Sequence, residues 1–247
     1  MVWAILPLKD LVKAKSRLAG ILAPHERRAL AQAMVEDVFA VLSCHSGLQG
    51  VLVVSDDPSA EMLANKYSFD WVAEKQLGCR GLNGAVAAAV DFLAARGVTD
   101  IMVLHGDIPL LRQQDISALL ERYQQDAVDM VIGPDLAGGG TNVMLFPVQK
   151  RPDFHYGEGS CQAHQRAGRE LGHRVSLLQS TGIGLDVDCP DDLISLYHHL
   201  KENHLQAGER APNSTAVLLD AGIAGRLAAL ERGGLGHEAE DETHDAI

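Results

Sequence analysis

A succession of short apolar runs, separated by longer stretches of helical spacing, sets the strongest limit on what this chain can fold into. The runs lie at 2–6, 50–54, 71–73, 101–104, 130–132, 143–146 and 175–178. Their apolar residues are mostly continuous rather than alternating, the pattern of strands covered on both faces. Helices are predicted between them at about 24–42, 60–66, 82–95, 115–124, 159–171 and 191–202. In the third of these, Leu82, Val86, Ala89, Val90 and Leu93 form one buried stripe, and Gly97 stands where a helix stops. Asp115 reads as the N-cap of the next helix. The alternation predicts an α/β fold with a mostly parallel central sheet flanked by helices.

The chain has 247 residues, enough for one α/β domain with a substantial core. We expect that domain to span 1–202. Residues 203–213 are polar, carry Gly208 and Pro212, and read as a linker. Residues 215–231 have the pattern of one further amphipathic helix, and 237–247 form an acidic stretch without structure. The sequence discloses no role for this appendage, so catalysis is expected to be independent of it. A net charge of -12 argues against wrapping nucleic acid, which needs a surplus of Lys and Arg. The apolar start at Val2 is too short for a secretory signal, and no run approaches the roughly 20 apolar residues of a spanning helix. Cys44, Cys79, Cys161 and Cys189 are scattered without metal spacing. A cytoplasmic protein with reduced thiols is the expectation, with no membrane partner.

Within this frame several motifs could carry chemistry. Lys9, Lys13, Lys15 and Arg17 with Ser16 follow the first strand, where open α/β sheets gather ligands. They suit phosphate oxygens, and a solvated basic turn is the alternative. Asp107 ends the run 101–104, at the strand's carboxyl edge, as a metal-bridging carboxylate or as a turn cap. Asp186 and Asp188 are spaced to share one face of an extended segment, where a cation would relieve their repulsion. Asp191 and Asp192 follow instead at a helix start and read as capping residues. Gly138, Gly139 and Gly140 precede Thr141 and Asn142, as an anion-cradling loop or a tight turn. Gly157, Gly159 and Ser160 lead into a helix bearing His164, which is given no more than a supporting role. Asn83 stands at the head of a helix, where it could read a base edge.

Taken in order, the blocks around Lys9 to Ala19, Gly81-Leu-Asn83, Asp107-Ile-Pro109-Leu-Leu, Pro134-Asp135 to Asn142, Tyr156-Gly157-x-Gly159-Ser160 and Gly184-Leu-Asp186-Val-Asp188-x-Pro190 resemble the 2-phospho-L-lactate guanylyltransferase family. That family includes bacterial phosphoenolpyruvate guanylyltransferases. The resemblance covers about 2–202 and implies a single-domain nucleotidyltransferase fold. It implies that GTP and a phosphorylated three-carbon acid give a guanylyl diphosphate ester and pyrophosphate, feeding assembly of a deazaflavin redox coenzyme. It further implies that Asp107, Asp186 and Asp188 hold Mg²⁺, while Lys9, Lys15, Ser16, Arg17 and Asn83 hold the nucleotide. Thr141, Gly157 and Ser160 would hold the acceptor, and Lys15, Arg17 and Asp107 would act on the reacting phosphate.

Three points stay open on these residues: which acid is used, why His105-Gly106 precede Asp107, and whether the chain forms a homodimer. The rival readings are another sugar- or alditol-phosphate nucleotidyltransferase of the same fold and a non-catalytic nucleotide-binding regulatory module. The Lys-rich 9–17 segment argues against the first, and the three carboxylates argue against the second.

Overall fold

A computed structural model describes residues 2–11, 15–125, 127–205 and 211–234. Lys13 and the acidic stretch 237–247 lie outside the described residues. The strands are β1 Val2–Pro7, β2 Leu48–Val54, β3 Asp70–Val72, β4 Asp100–Leu104, β5 Met130–Pro134, β6 Thr141–Pro147 and β7 Val175–Leu177. They form one sheet in the order β3-β2-β1-β4-β6-β5-β7. The sheet is parallel except at β6, which runs antiparallel to both β4 and β5.

Helices α1 Pro24–Ser43, α2 Pro58–Lys66, α3 Gly81–Ala94, α4 Gln113–Tyr123 and α5 Ser160–Glu170 fall where the spacing places them. Two apolar layers lie on opposite faces of the sheet. One joins Val38, Phe39 and Leu42 of α1 to Leu6, Val53 and Leu104. The other joins Val86, Val90 and Leu93 of α3 to Ile5, Leu52 and Phe146. The stripe read from the sequence is thus a core face: Val86, Ala89, Val90 and Leu93 are fully or almost fully buried.

Three local expectations are corrected. Asp115 is not an N-cap. Helix α4 starts two residues earlier, and Asp115 Oδ2 reaches back to accept the Arg112 N–H at 2.9 Å. A carboxylate in the first turn satisfies a free donor just as a cap does, which is why the signal was ambiguous. The 215–231 helix is two helices, α8 Pro212–Leu218 and α9 Ala221–Gly234. The break falls at Asp220, whose Oδ1 accepts the Gly222 N–H at 2.9 Å, a local bond that competes with helix continuation. Finally, α7 Pro190–Leu205 runs past residue 202, after the short α6 Thr181–Gly184.

The helices after residue 211 pack on the domain. Asp37 of α1 is 3% exposed, and its carboxylate accepts the backbone N–H groups of Asn213 at 3.0 Å and Ser214 at 2.8 Å, with the Asn213 amide at 2.8 Å. A residue from another helix therefore satisfies the open donors of α8. Its replacement leaves those buried donors unmatched, so Asp37→Ala should cost about 2–3 kcal/mol of unfolding free energy in urea. A cost below about 0.5 kcal/mol would show that α8 keeps its place without this carboxylate.

Candidate active site

The strand order reverses at β1, which has β2 on one side and β4 on the other. Loops leaving the carboxyl ends of β1 and β4 diverge there and leave a crevice, the usual ligand position in an open α/β sheet. The loop after β1 carries Lys9, Lys15, Ser16 and Arg17, and the loop after β4 carries Asp107. Because β6 is antiparallel to β4, its first residues, Thr141 and Asn142, arrive at the same edge. The His105 N–H donates to the Asn142 carbonyl at 3.1 Å across that junction. Residues 185–188 complete the wall, tied by the Val187 N–H to the Asp107 carbonyl at 3.1 Å.

At the centre, Lys15 Nζ lies 2.7 Å from Asp107 Oδ2 and 2.9 Å from Asp188 Oδ1. Burial alone would push the Lys15 pKa down, but the charges of Asp107 and Asp188 outweigh it and hold the ammonium above its ordinary value. Burial likewise pulls Asp107 upward, and the Lys15 ammonium overcomes it to leave the carboxyl below the usual range. Among the described residues no cation pairs with Asp186. Burial first, then the charges of Asp107 and Asp188, push it up to about 6 against the lowering bond from the Asn142 amide at 3.0 Å. Asn142 also donates to the Ile183 carbonyl at 3.0 Å, so it fixes the segment that bears Asp186. Val187 between them is fully buried, while Asp186 is half-buried against Asn142 and Asp188 is exposed beside Lys15. Asp192 Oδ2 accepts the Asp188 and Cys189 N–H groups at 2.9 and 2.8 Å, which is capping chemistry.

Lys15 takes a left-handed conformation, φ 58°, and the turn Ser16–Leu18 follows with Ser16 and Arg17 exposed. Lys9 is exposed at the start of the loop. Asp57, which caps α2 through the Ser59 N–H at 2.8 Å, also accepts the Leu11 N–H at 2.7 Å and so pins this loop. The sequence reading missed that second role, although Asp57-Pro58 at a helix start was visible as a cap.

The glycine loop resolves in favour of a tight turn. Gly139 and Gly140 donate their N–H groups to the two Asp135 oxygens at 2.8 and 2.7 Å, so these donors face their own loop. Thr141 is different. His164, fully buried, accepts the His155 N–H on Nε2 at 2.8 Å and faces Thr141 Oγ1 with Nδ1 at 3.0 Å. A neutral ring that accepts on Nε2 carries its proton on Nδ1, so it donates to Thr141 and frees the hydroxyl hydrogen to point elsewhere. Burial, then the neighbouring His155, lower the His164 pKa to about 4, which keeps the ring neutral. Ser160, 2% exposed, opens α5 behind Gly159, whose φ of 70° admits glycine readily. Asn83 does not present a free amide. Its Oδ1 accepts the Tyr156 N–H at 2.7 Å and its Nδ2 reaches the Tyr156 carbonyl at 3.5 Å, tying α3 to the segment before Gly157.

Three buried polar atoms in this region, Asp107 Oδ1, His105 Nε2 and Tyr156 Oη, have no hydrogen-bond partner among the described residues. Burial holds the His105 pKa below its ordinary value despite nearby Asp107, so its ring too is neutral. Among the described residues no three His, Cys, Asp or Glu side chains converge to hold an ion unaided. Magnesium is commonly held by one or two carboxylates together with substrate phosphates, and the free Asp107 Oδ1 beside two like charges fits such a share.

A family model described as guanylyl transferase CofC-like matches residues 2–208. The chain belongs to the CofC-like guanylyl transferase family. A phosphoenolpyruvate guanylyltransferase of Conexibacter woesei is 40% identical to this CofC-like chain over 196 residues, 78% of the chain and 86% of the relative. A 2-phospho-L-lactate guanylyltransferase of Methanothermobacter thermautotrophicus is 35% identical over 204 residues, 81% and 86% of the two lengths. Among solved structures, a candidate nucleotide-diphospho-sugar transferase from Desulfovibrio desulfuricans superposes with a TM-score of 0.72 at 19% identity, covering 91% of this chain and 97% of that one. A nucleotidyl transferase from Methanothermobacter thermautotrophicus gives 0.56 at 16% identity, covering 84% and 99%. The expected nucleotidyltransferase fold is thereby borne out, and this CofC-like protein is an enzyme. None of its described helices is long and apolar enough to cross a membrane.

The buried His164 makes a pH prediction. The unfolded chain protonates near pH 6.5, whereas the folded chain resists until about pH 4. Its contribution to stability is therefore intact above 6.5 and is lost as pH falls between those values, at no more than about 1.4 kcal/mol per pH unit. His105 has a shift of the same sign. Urea midpoints between pH 7 and pH 5 should fall less steeply for His164→Asn than for the parent, and an identical slope would contradict the assignment.

Proposed function

We propose that this chain transfers GMP from GTP to the phosphate of a phosphorylated three-carbon acid, with release of pyrophosphate. The acceptors considered are 2-phospho-L-lactate, phosphoenolpyruvate and 3-phosphoglycerate. The observation that carries the reading is Lys15 set between Asp107 and Asp188 at the point where the strand order reverses. Family membership and the names of the relatives support the choice of guanine and of the acid.

In this reaction an acceptor phosphate oxygen attacks the α-phosphorus of GTP. A new P–O bond forms as the bond to the β-phosphate oxygen breaks, and pyrophosphate leaves with that electron pair. The attacking oxygen is already an anion, so no strong general base is needed. The protein's work is alignment and charge neutralisation. Lys9, Lys15, Ser16 and Arg17 face the triphosphate, and Lys15 sits where negative charge grows. Thr141, with its hydroxyl hydrogen released by His164, donates to the acid beside Gly157 and Ser160. Asp107, Asp186 and Asp188 would hold Mg²⁺, which when bound polarises the α-phosphate and offsets the charge of the leaving group. The product would feed assembly of a deazaflavin redox coenzyme in the cytoplasm.

Pyrophosphate release measured across four nucleoside triphosphates and the three acids, with Mg²⁺, tests the proposal. Turnover is expected with GTP and one acid, and none in excess chelator. Asp107→Asn should lower kcat by about 100-fold or more with the fold intact. Ser160→Ala should raise the acceptor KM more than the GTP KM. Turnover only with another base, or a sugar phosphate as the preferred acceptor, would replace this reading with the sugar-phosphate nucleotidyltransferase one. No turnover despite GTP binding would favour the regulatory module.

A further inference from the structure

The family match ends at residue 208, before α8 begins at Pro212. The two helices beyond it nevertheless pack against the part of the site that carries Lys15. Leu18 and Leu22, which follow Lys15, are 0% and 1% exposed. They share one apolar cluster with Leu218 of α8 and with Ile223 and Leu227 of α9. Leu185 and Val187, which flank Asp186, belong to the same cluster, so one apolar mass supports both sides of the Lys15–Asp188 bridge.

Polar contacts finish the attachment. Arg226 Nε donates to the Ile21 carbonyl at 3.1 Å, and Arg226 Nη2 lies 2.7 Å from Glu26 Oε1. Glu26 Oε2 in turn accepts the Ala23 N–H at 2.7 Å, and Arg27 Nη1 donates to the Leu22 carbonyl at 2.9 Å. At the far end, buried Asp37 caps α8 and anchors the pair to α1. The Ser16–Leu18 turn is a single 3-10 turn, too short to persist by itself, and Lys15 before it is held in a left-handed conformation that costs about 1–2 kcal/mol. Such a turn endures only where its surroundings over-determine it.

We propose that α8 and α9 act as a clamp on the Lys15 loop, with Arg226 as its positioning residue. The clamp touches no reacting atom. It fixes the turn that presents Lys15, Ser16 and Arg17, and so sets the affinity of the loop for the nucleotide's phosphates. This rests on the guanylyl transfer proposed above for its kinetic readout, and on amide exchange for a readout that needs no activity. It also reverses the expectation that the C-terminal segment is dispensable.

The test compares the parent with Arg226→Ala, with Leu230→Ala on the exposed side of α9, and with a chain lacking 209–247. Amides of Leu18, Ala19, Ile21 and Leu22, all hydrogen-bonded within the turn, report its opening. In Arg226→Ala they should exchange about three- to tenfold faster, and the GTP KM should rise by a similar factor, while the acceptor KM and the thermal midpoint hardly move. Leu230→Ala should match the parent in both, and truncation should exceed Arg226→Ala in both. Unchanged exchange and unchanged GTP KM in Arg226→Ala would overturn the proposal. If the truncated chain does not fold, Arg226→Ala decides alone, since its side chain is partly exposed. A parent without turnover, together with faster exchange in Arg226→Ala, would keep the clamp and remove the catalytic reading.

Discussion

At the point where the sheet changes direction, Asp107 and Asp188 share the Lys15 ammonium, the one cation in ion-pair contact with them among the described residues, and Asp186 lies beside them. Burial raises the cost of leaving Asp107 without its cation, and burial together with the charges of Asp107 and Asp188 pushes Asp186 up. The Lys15 ammonium bonds to two of the three and keeps Asp107 ionised. For Nζ to reach them, the chain after β1 must turn back on itself, and the left-handed Lys15 followed by the Ser16–Leu18 turn is how it does so. The apolar packing of Leu18 and Leu22, the capping by Asp37 and the Arg226 contacts all serve a turn whose purpose is to place one cation.

The opposite wall of the crevice is built by a different device. One antiparallel strand, β6, enters a parallel sheet and delivers Thr141 and Asn142 to the carboxyl edge, where a parallel strand would have delivered them to the opposite edge. The Asn142 amide donates to the Asp186 segment, and the Thr141 hydroxyl oxygen accepts a hydrogen bond from Nδ1 of a neutral, buried His164. Both groups are thus fixed by hydrogen bonds before any ligand arrives.

How much of this the sequence disclosed depends on whether the cause was local. Each apolar run became a strand; the central ones are buried on both faces, while the edge strands β3 and β7 are partly exposed. Such a run is silent about direction, so β6 could not be recognised as antiparallel. The spacing marked Asp186 and Asp188 as a pair of interest, and in the structure Asp186 meets Asn142 while Asp188 meets Lys15, from the Lys-rich loop after β1. Asn83 was open to either reading, a base contact or a plain helix start, because nothing nearby in sequence reveals Tyr156, whose backbone meets both ends of its amide. The second helix pair was read as an appendage for a similar reason. Its partner Asp37 lies on α1, 176 residues before Asn213, and a buried Asp in a helix leaves no periodic signal of its own.

Lys15 is the cation that keeps buried Asp107 ionised, and a double-mutant cycle on unfolding free energy tests that partnership directly. Lys15→Met alone leaves Asp107 buried without its cation, so it should destabilise the fold more than Lys15→Met combined with Asp107→Asn. The coupling energy between the two positions should be about 1–3 kcal/mol, measured in urea with no nucleotide present. Additive effects, with coupling within about 0.3 kcal/mol of zero, would mean that Lys15 and Asp107 are neighbours without being partners, and the account of the site would fail.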